Sequence, residues 1–379
     1  MMDNMLQKIT DFIKKETVLT IATVLAVASA FWVHPGPQYV GYIDWRVLGI
    51  LLSLMLIVAG FQSNGLFDAI GSRLLAKTKN TAQLMLVLVF LCFFSSMFIT
   101  NDVALLTFVP FACTILQKCH QERLIVTTFV LQTLAANLGS MLTPVGNPQN
   151  LYLYSISGAG LGEFVGWMAP YTLVSGVLLL LVVFVLSAGK RRISLETGAL
   201  LQTSGAAGRK KNGIYLALFV LSLLSVARVL PWELMLAVVL IVLIFTDRAV
   251  FLQVDYCLLF TFISFFIFIG NMKRVPEFYE LAASLVGAHP LEVAVVSSQF
   301  ISNVPTTLLL SGFCDQWREL IIGTNLGGLG TLIASMASLI GYKNVTRAYP
   351  DKKGRYLAVY TAVNVLFVIV LVGLSWIIE

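Results

Sequence analysis

Residues 137–150 of the chain read NLGSMLTPVGNPQN and separate two apolar segments that could each enter a lipid bilayer. The stretch combines three asparagines, two glycines and two prolines with Ser140, Thr143 and Gln149. Proline removes a backbone donor and clashes with the preceding helical turn, and a lipid-facing helix would not carry this combination of residues. Non-helical backbone is tolerated at membrane depth only where protein or a water-filled cavity satisfies its polar groups. The stretch therefore predicts a broken helix inside the protein, and the alternative is an ordinary exposed loop between two spans.

The composition predicts an all-α polytopic membrane protein. Of the 379 residues, 58% are hydrophobic and only 12% are charged, whereas soluble domains carry about 25% charged residues. Several windows exceed 18 residues with almost no charge, which is long enough to span a bilayer. The net charge of +6 comes from basic residues between the apolar segments, as in cytoplasmic loops, and requires no nucleic acid. The five cysteines show no metal-ligand spacing and indicate no metal cofactor.

The distribution of basic residues predicts the topology. Lys8, Lys14 and Lys15 precede the first apolar run, residues 17–33, which we interpret as a retained span with the N-terminus in the cytoplasm. Charge bias along the rest of the chain gives about nine transmembrane spans plus two re-entrant hairpins, with the C-terminus outside. Residues 65–79 and 276–287 are amphipathic and are expected to lie at the membrane interface.

The chain contains an internal repeat. The hairpin tips read FITNDVALL (98–106) and FISNVPTTL (300–308), and the broken segments read ANLGSMLTPVGNPQN (136–150) and TNLGGLGTLIASMAS (324–338). The first repeat covers residues 1–188, with a hairpin at 81–118 and a broken helix at 123–156. A basic cytoplasmic linker at 189–213 leads to the second repeat, 214–379, with a hairpin at 291–314 and a broken helix at 319–341. The charge bias places the two hairpins on opposite sides of the membrane, which predicts two inverted-topology repeats.

These motifs resemble the ion transporter superfamily over about residues 46–350. That superfamily includes arsenite permeases, citrate symporters, dicarboxylate symporters and sodium/proton antiporters. The Asn-Asp pair at the first tip is most similar to the arsenite-permease-like and citrate-transporter-like branch. The dicarboxylate branch carries Ser-Asn-Thr at both tips, where this chain has Thr-Asn-Asp and Ser-Asn-Val. The resemblance implies a scaffold domain, a mobile transport domain, a homodimer and elevator-like alternating access.

The two tips and the two breaks are predicted to form one substrate and ion site. Its groups are side-chain amides, hydroxyls and small residues that allow close backbone approach: Asn101, Asn137, Asn147, Asn303 and Asn325; Thr100, Thr143, Ser302, Thr306 and Thr307; Gly139, Gly146, Gly327 and Gly328. Amide, hydroxyl and carbonyl oxygens suit a hard cation, and a Na+ site is predicted at Asn101, Asp102, Asn147 and Asn303. Half-helix N-termini favour anions, so an anion needs no Lys or Arg here.

Asp102 is the one acid at either hairpin tip. An ionisable residue within a membrane is costly and is a functional candidate by default, as a Na+ ligand or a proton carrier. The structural alternative is an N-cap of the second hairpin helix, and the asparagines have the corresponding alternative of caps or interhelical hydrogen bonds. Gln132 is interpreted as a packing residue.

The leading functional interpretation is a secondary active transporter for a small anion, either a carboxylate or an inorganic oxyanion, coupled to Na+ or H+. The alternatives are a Na+/H+ antiporter that uses Asp102 as the exchanger, and a channel. An enzyme is disfavoured because the chain has no HExxH or GxSxG motif. The chain lacks a P-loop of its own but could pair with a separate ATPase subunit, as some arsenite permeases do. The expected partners are the anionic substrate, the bilayer of the cytoplasmic membrane and a second copy of the chain.

Overall fold

The computed structural model describes residues 7, 10, 12, 13, 16–187 and 206–378, with side chains of the helix at 206–226 described from residue 211. In these residues the secondary structure is helical without strands, which confirms the all-α prediction. The basic residues Lys8, Lys14 and Lys15 and most of the 189–213 linker lie outside the described residues. The last part of that linker, from Ala206, is the start of a helix rather than a connection.

Eighteen α-helices make up the described part of the chain. In order they are α1 (Thr17–Ser29), α2 (Gln38–Tyr42), α3 (Trp45–Ser63), α4 (Leu66–Leu75), α5 (Thr81–Ser95), α6 (Asn101–Lys118), α7 (Ile125–Ser140), α8 (Pro148–Ser157), α9 (Leu161–Leu186), α10 (Ala206–Val226), α11 (Trp232–Thr246), α12 (Tyr256–Met272), α13 (Pro276–Gly287), α14 (Pro290–Ile301), α15 (Asn303–Leu310), α16 (Trp317–Gly327), α17 (Met336–Ala348) and α18 (Lys353–Ile378). Short 3-10 turns precede α7 and α18 and follow α11.

Both predicted breaks are present in the helices. Helix α7 ends at Ser140, and α8 begins at Pro148, where proline at the first helical position has no donor to satisfy. Helix α16 ends at Gly327, and α17 begins after Ser335. The helix pairs that contain the tips, α5–α6 and α14–α15, pack against α7 and α16 respectively. The breaks therefore lie inside the protein, and residues 137–150 are not an exposed loop.

The lengths of the helices fit a multi-pass membrane protein, while the number of spans stays a prediction. Three stretches of the described chain are long and apolar enough to cross a bilayer alone, namely Trp45–Ser63, Leu161–Leu186 and Pro350–Ile378. Helices α12 and α13 reach that length together but are bent by 108° at their junction. Five further apolar helices of the described residues are shorter, with 10–17 residues each, and among them are Thr17–Ser29, Thr81–Ser95 and Trp232–Thr246.

Helix α4 is amphipathic, as predicted for residues 65–79. It follows Gly65, whose φ of 67° lies in the left-handed region that glycine tolerates. Ile70 and Leu74 lie one turn apart and line an apolar groove against α5, whereas Asp68 and Ser72 line a polar cavity against α6. The two faces of α4 thus separate an apolar from a polar environment.

Candidate functional site

Each hairpin tip is docked onto a helix break by a backbone hydrogen bond. The backbone N–H of Asn101 donates to the carbonyl of Gly146 at 3.1 Å, and that of Asn303 donates to the carbonyl of Ala334 at 2.9 Å. In the alignment of the two repeats, Asn101 matches Asn303 and Gly146 matches Ala334. The same bond is therefore made twice, at matching positions.

A second pair of hydrogen bonds matches in the same way. The hydroxyl of Thr143 donates to the carbonyl of Met97, and the hydroxyl of Thr331 donates to the carbonyl of Gln299 at 3.0 Å. Each threonine lies in a break and each carbonyl lies just before a tip. Both breaks are therefore fixed to their hairpins by one backbone and one hydroxyl bond.

The two repeats also bond to one another reciprocally. Asn147 donates from Nδ2 to Oδ1 of Asn325 at 3.2 Å, and Ser335 donates from Oγ to Oδ1 of Asn137 at 3.0 Å. Asn147 matches Ser335 in the repeat alignment, and Asn325 matches Asn137. When residue i of one unit contacts residue j of the other, and j of the first contacts i of the second, the two units are related by a two-fold axis. The two breaks therefore meet with approximate local two-fold symmetry.

Further amide contacts complete a buried cluster around these bonds. Asn101 donates from Nδ2 to Oδ1 of Asn137 at 3.0 Å, and Asn325 donates from Nδ2 to Oδ1 of Asn150 at 2.6 Å. Asn137 in turn donates from Nδ2 to the carbonyl of Gly328 at 3.4 Å. Ser140 links the two groups of contacts, since its hydroxyl accepts from Nδ2 of Asn147 at 3.3 Å and donates to the carbonyl of Asn137 at 3.0 Å. Five asparagines thus belong to one network that spans both repeats.

The glycines of the site allow helices to approach closely. A Cβ at Gly139 would lie 1.9 Å from the carbonyl oxygen of Phe93, and one at Gly327 would lie 2.6 Å from Oγ of Ser298. A Cβ at Gly328 would lie 2.7 Å from Nδ2 of Asn303. Because Asn303 is adjacent to Gly328, and Asn137 bonds to Gly328 and Asn101, the two tips converge on the same region.

Four helices begin in this cluster. Thr100, Asn147, Ser302 and Ser335 occupy the positions that precede α6, α8, α15 and α17. The N-terminus of a helix carries a partial positive charge and free N–H groups, which bind anions. The site therefore offers positive potential without a Lys or Arg side chain.

Two polar atoms of the tips are buried without a hydrogen-bond partner in the described protein. They are Oγ1 of Thr306, a residue that is fully buried, and Oδ1 of Asp102. Most buried polar atoms in proteins are hydrogen-bonded, so unpaired ones at a candidate site point to a ligand. Thr307, by contrast, uses its hydroxyl to bond the carbonyl of Asn303 at 2.7 Å.

The structural interpretation of Asp102 as an N-cap is wrong. Thr100 occupies the cap position, and Asp102 is the second residue of α6. The backbone N–H of Asp102 donates to Oδ1 of Asn101 at 3.0 Å, and this N–H is one of the donors that a capping side chain would satisfy. The Asp102 carboxylate lies in the first turn, where the helix dipole favours a negative charge.

Several residues of the site were not among the predicted ones. Gln299 donates from Nε2 to the carbonyls of Gly327 at 3.0 Å and Leu329 at 2.9 Å, and its Oε1 accepts from the N–H of Thr331 at 2.9 Å. Its match in the first repeat is Met97, so the repeat gave no signal for it. Ser335 and Thr331 could have been found by aligning them with Asn147 and Thr143.

Helix α8 is held at its far end by a residue from the second half of the chain. Arg228, between α10 and α11, donates from its guanidinium to the carbonyls of Gly158 at 3.0 Å and Tyr154 at 2.9 Å. A cation at a helix C-terminus satisfies free carbonyls and complements the dipole.

Gln132 donates to the carbonyls of Leu88 and Phe108, so it joins α7 to both helices of the first hairpin, as its interpretation as a packing residue requires.

The sequence is similar to those of known membrane transporters. The model of the citrate transporter family matches residues 8–316. An uncharacterised transporter of Methanocaldococcus jannaschii is 31% identical over 340 residues, which cover 87% of this chain and 89% of the relative. The inner membrane protein YbiR of Escherichia coli is 31% identical over 331 residues, 84% of this chain and 85% of the relative. A Dictyostelium discoideum protein named as a transporter, arsB, is 27% identical over 130 residues, 34% of this chain and 23% of the relative.

Proposed function

Because this chain belongs to the citrate transporter family and is a membrane anion transporter rather than an enzyme, we propose that it is a secondary active transporter of a small carboxylate or oxyanion. Transport is coupled to Na+ or H+ and crosses the cytoplasmic membrane. Neither ion is a resident cofactor, since each is part of the transported load.

The observation that carries the proposal is the cluster where four helix N-termini meet. Anionic groups are stabilised at such termini by N–H groups and by the dipole, and discontinuous helices in transporters use their N-termini in this way. The amides of Asn101 and Asn303 lie beside these termini and supply directional donors. The proposal includes a Na+ site at Asn101, Asp102, Asn147 and Asn303, which is supported by the membership of Asn101 and Asn147 in the asparagine network.

The reciprocal bonds between the breaks support alternating access by inverted repeats. Two related halves that meet at an approximate two-fold axis can exchange conformations. In the inward-facing state one half then has the conformation that the other half has in the outward-facing state. The proposal includes an elevator-type movement of the hairpins and broken helices against α3, α10 and α11, and a homodimer held by the scaffold. We propose in addition that the N-terminus lies in the cytoplasm and the C-terminus outside.

Reconstitution into liposomes tests the proposal. Purified protein is given an imposed Na+ or pH gradient and a panel of radiolabelled tricarboxylates, dicarboxylates and inorganic oxyanions. Vesicles preloaded with the unlabelled substrate should take up the labelled substrate faster by counterflow, and one of the two gradients should drive accumulation. Absence of counterflow for every anion would contradict the proposal, and single-channel currents would indicate a pore instead.

A Na+/H+ antiporter is the second candidate. It is favoured by the unpaired Oδ1 of Asp102, since a buried carboxylate with a free oxygen can exchange a proton for a cation. Under this alternative a pH gradient drives 22Na+ flux without any anion in the vesicles. Under the leading proposal, 22Na+ flux requires the anion.

A further inference from the structure

A polar cavity of about 390 Å³ lies between the amphipathic helix α4 and the hairpin helix α6. Its floor includes the buried hydroxyl of Ser72, and its opening includes the exposed side chains of Gln62, Thr114 and Lys118. It is distinct from the asparagine cluster, since none of the residues that line it is an asparagine of that cluster or lies in a break, and Leu106 is the one residue of a hairpin tip among them.

The cavity extends along α6 towards the candidate site. Its wall on that helix runs from Leu106 to Lys118, about 18 Å at 1.5 Å per residue. Leu106 lies one turn beyond Asp102, about 6 Å along the same helix axis. The end of the cavity at Leu106 is therefore about one helical turn along α6 from Asp102.

The chemistry of the wall is that of an oxygen-rich cation site. Asp68 supplies a carboxylate, Gln62 an amide oxygen, and Ser72, Thr107 and Thr114 supply hydroxyls. Pro110 lies inside α6 and has no N–H to give to the carbonyl of Leu106, so that carbonyl keeps acceptor capacity beside the cavity. Hard cations are bound by carboxylate, carbonyl and hydroxyl oxygens of this kind.

The two charges of the cavity do not neutralise each other. Within the described residues the ion pair found joins Lys211 and Asp247, so Asp68 and Lys118 face the same cavity without a contact of 4.0 Å or less. Asp68 lies on the helix predicted to rest at the interface, and burial raises the pKa of its carboxyl above the ordinary value. A carboxylate that loses hydration and gains no positive partner behaves in this way.

We propose that this cavity binds a hard monovalent cation at Asp68 and is the vestibule from which the coupling ion reaches Asp102. The step to Asp102 rests on the proposed function, whereas binding at Asp68 does not. Lys118 lines the end of the cavity opposite Leu106, where its positive charge weakens cation binding by repulsion. The opposite effects of the two charges make the assignment testable, because an anion site would reverse both.

Thermal unfolding of the purified full chain tests the proposal, with NaCl replacing choline chloride at constant ionic strength. A ligand that binds only the folded state stabilises it by RT ln(1 + L/Kd), where L is the ligand concentration, so the apparent Tm rises with the logarithm of the ligand concentration above Kd. Na+ should raise the Tm of the wild type. Asp68→Asn removes an attractive charge and should raise the Na+ concentration needed for half the Tm increase by about tenfold or more. Lys118→Gln removes a repulsive charge and should lower that concentration by roughly threefold. Glu277→Gln is the matched control, an exposed acid in the first turn of the other amphipathic helix, α13, and should leave the Na+ response unchanged.

The outcomes separate this site from the proposed function. A Na+ response that is unchanged in Asp68→Asn but lost in Asp102→Asn overturns the vestibule and leaves coupling at the tip intact. Stabilisation by anions that is lost in Lys118→Gln and increased in Asp68→Asn also overturns it. A wild type that responds to pH but not to Na+ overturns the cation site as well. Na+ binding that follows Asp68 and Lys118 as stated, in a protein without coupled anion flux, supports the cavity and contradicts the proposed function alone.

Discussion

Nδ2 of Asn147 donates to Oδ1 of Asn325 at 3.2 Å across 178 positions of sequence. Each of the two side chains also makes a contact within its own repeat. Oδ1 of Asn147 accepts from the N–H of Asn150 at 2.9 Å, which caps α8, and Nδ2 of Asn325 donates to the carbonyl of Ile321 at 2.7 Å. The pair therefore links the start of one broken half-helix to the end of another.

The first prediction concerns the energetic coupling of this pair. Asn147→Ala and Asn325→Ala should each lower the Tm, because each leaves buried partners unpaired at about 1–3 kcal/mol per group. The double variant should be less destabilised than the sum of the two, with an interaction energy of about 0.5–3 kcal/mol. Unfolding of the four proteins in one detergent measures the cycle. Strict additivity would mean that the hydrogen bond across the repeats contributes nothing.

The second prediction uses the difference between the two breaks at one matching position. A Cβ at Gly146 would lie 2.0 Å from the carbonyl oxygen of Ser140, whereas its counterpart Ala334 already carries a Cβ. Gly146→Ala should therefore lower the Tm by several degrees, since a backbone carbonyl must move. Gly162→Ala is the control, because nothing lies within 4 Å of a Cβ placed there. Equal Tm values for the two variants would show that the first break is not packed as described.

The third prediction concerns Gln299, which holds the second break through both ends of its amide. Gln299→Met places there the residue that matches it in the first repeat, and it leaves the carbonyls of Gly327 and Leu329 without their donor. We expect a lower Tm and a KM that rises about tenfold or more, because the break that lines the site is no longer fixed. Met97→Leu is the control and should change neither quantity beyond about twofold, since a Leu–Met exchange conserves volume. A kcat effect without a change in KM would argue against this positioning role.

The sequence was sufficient to predict the all-α class and the positions of the two helix breaks. Pro148 and the surrounding Asn and Gly residues mark the first break through backbone chemistry alone, and the alignment of Asn137 with Asn325 carries that inference to the second repeat. What a side chain bonds to is decided by tertiary packing, so the reciprocal contact between Ser335 and Asn137 was not predicted. Gln299 is absent from the first repeat, and no local pattern distinguishes it from a surface glutamine.

The fourth prediction concerns the unpaired hydroxyl of Thr306. Thr306→Val keeps the shape of the side chain but removes a buried polar atom that has no partner in the described protein. Loss of an unpaired buried polar atom should leave the Tm unchanged or raise it, because its desolvation is no longer uncompensated. If the hydroxyl serves the substrate or the ion, transport should fall about tenfold in the same variant. Thr324→Val, which removes a hydroxyl bonded within α16, should instead lower the Tm modestly. Unchanged transport by Thr306→Val would remove this residue from the site.

The last prediction concerns Asp102, whose matching position in the second repeat is Val304. The structure places the carboxyl in the first turn of α6, where the backbone N–H of Asp102 donates to Oδ1 of Asn101, so a purely structural need for the acid is small. Asp102→Asn keeps the shape and one acceptor oxygen but cannot ionise. We expect the variant to fold with a Tm close to that of the wild type and to lose gradient-driven uptake, because the charge that couples the ion is gone. Exchange of labelled for unlabelled anion should persist, and it should lose most of its dependence on Na+ or pH. The double variant Asn101→Asp with Asp102→Asn is the informative companion, since it moves the acid by one residue and should not restore coupling if the position of Asp102 matters. Full coupled uptake by Asp102→Asn with unchanged ion dependence would reduce the acid to its interaction with the helix dipole.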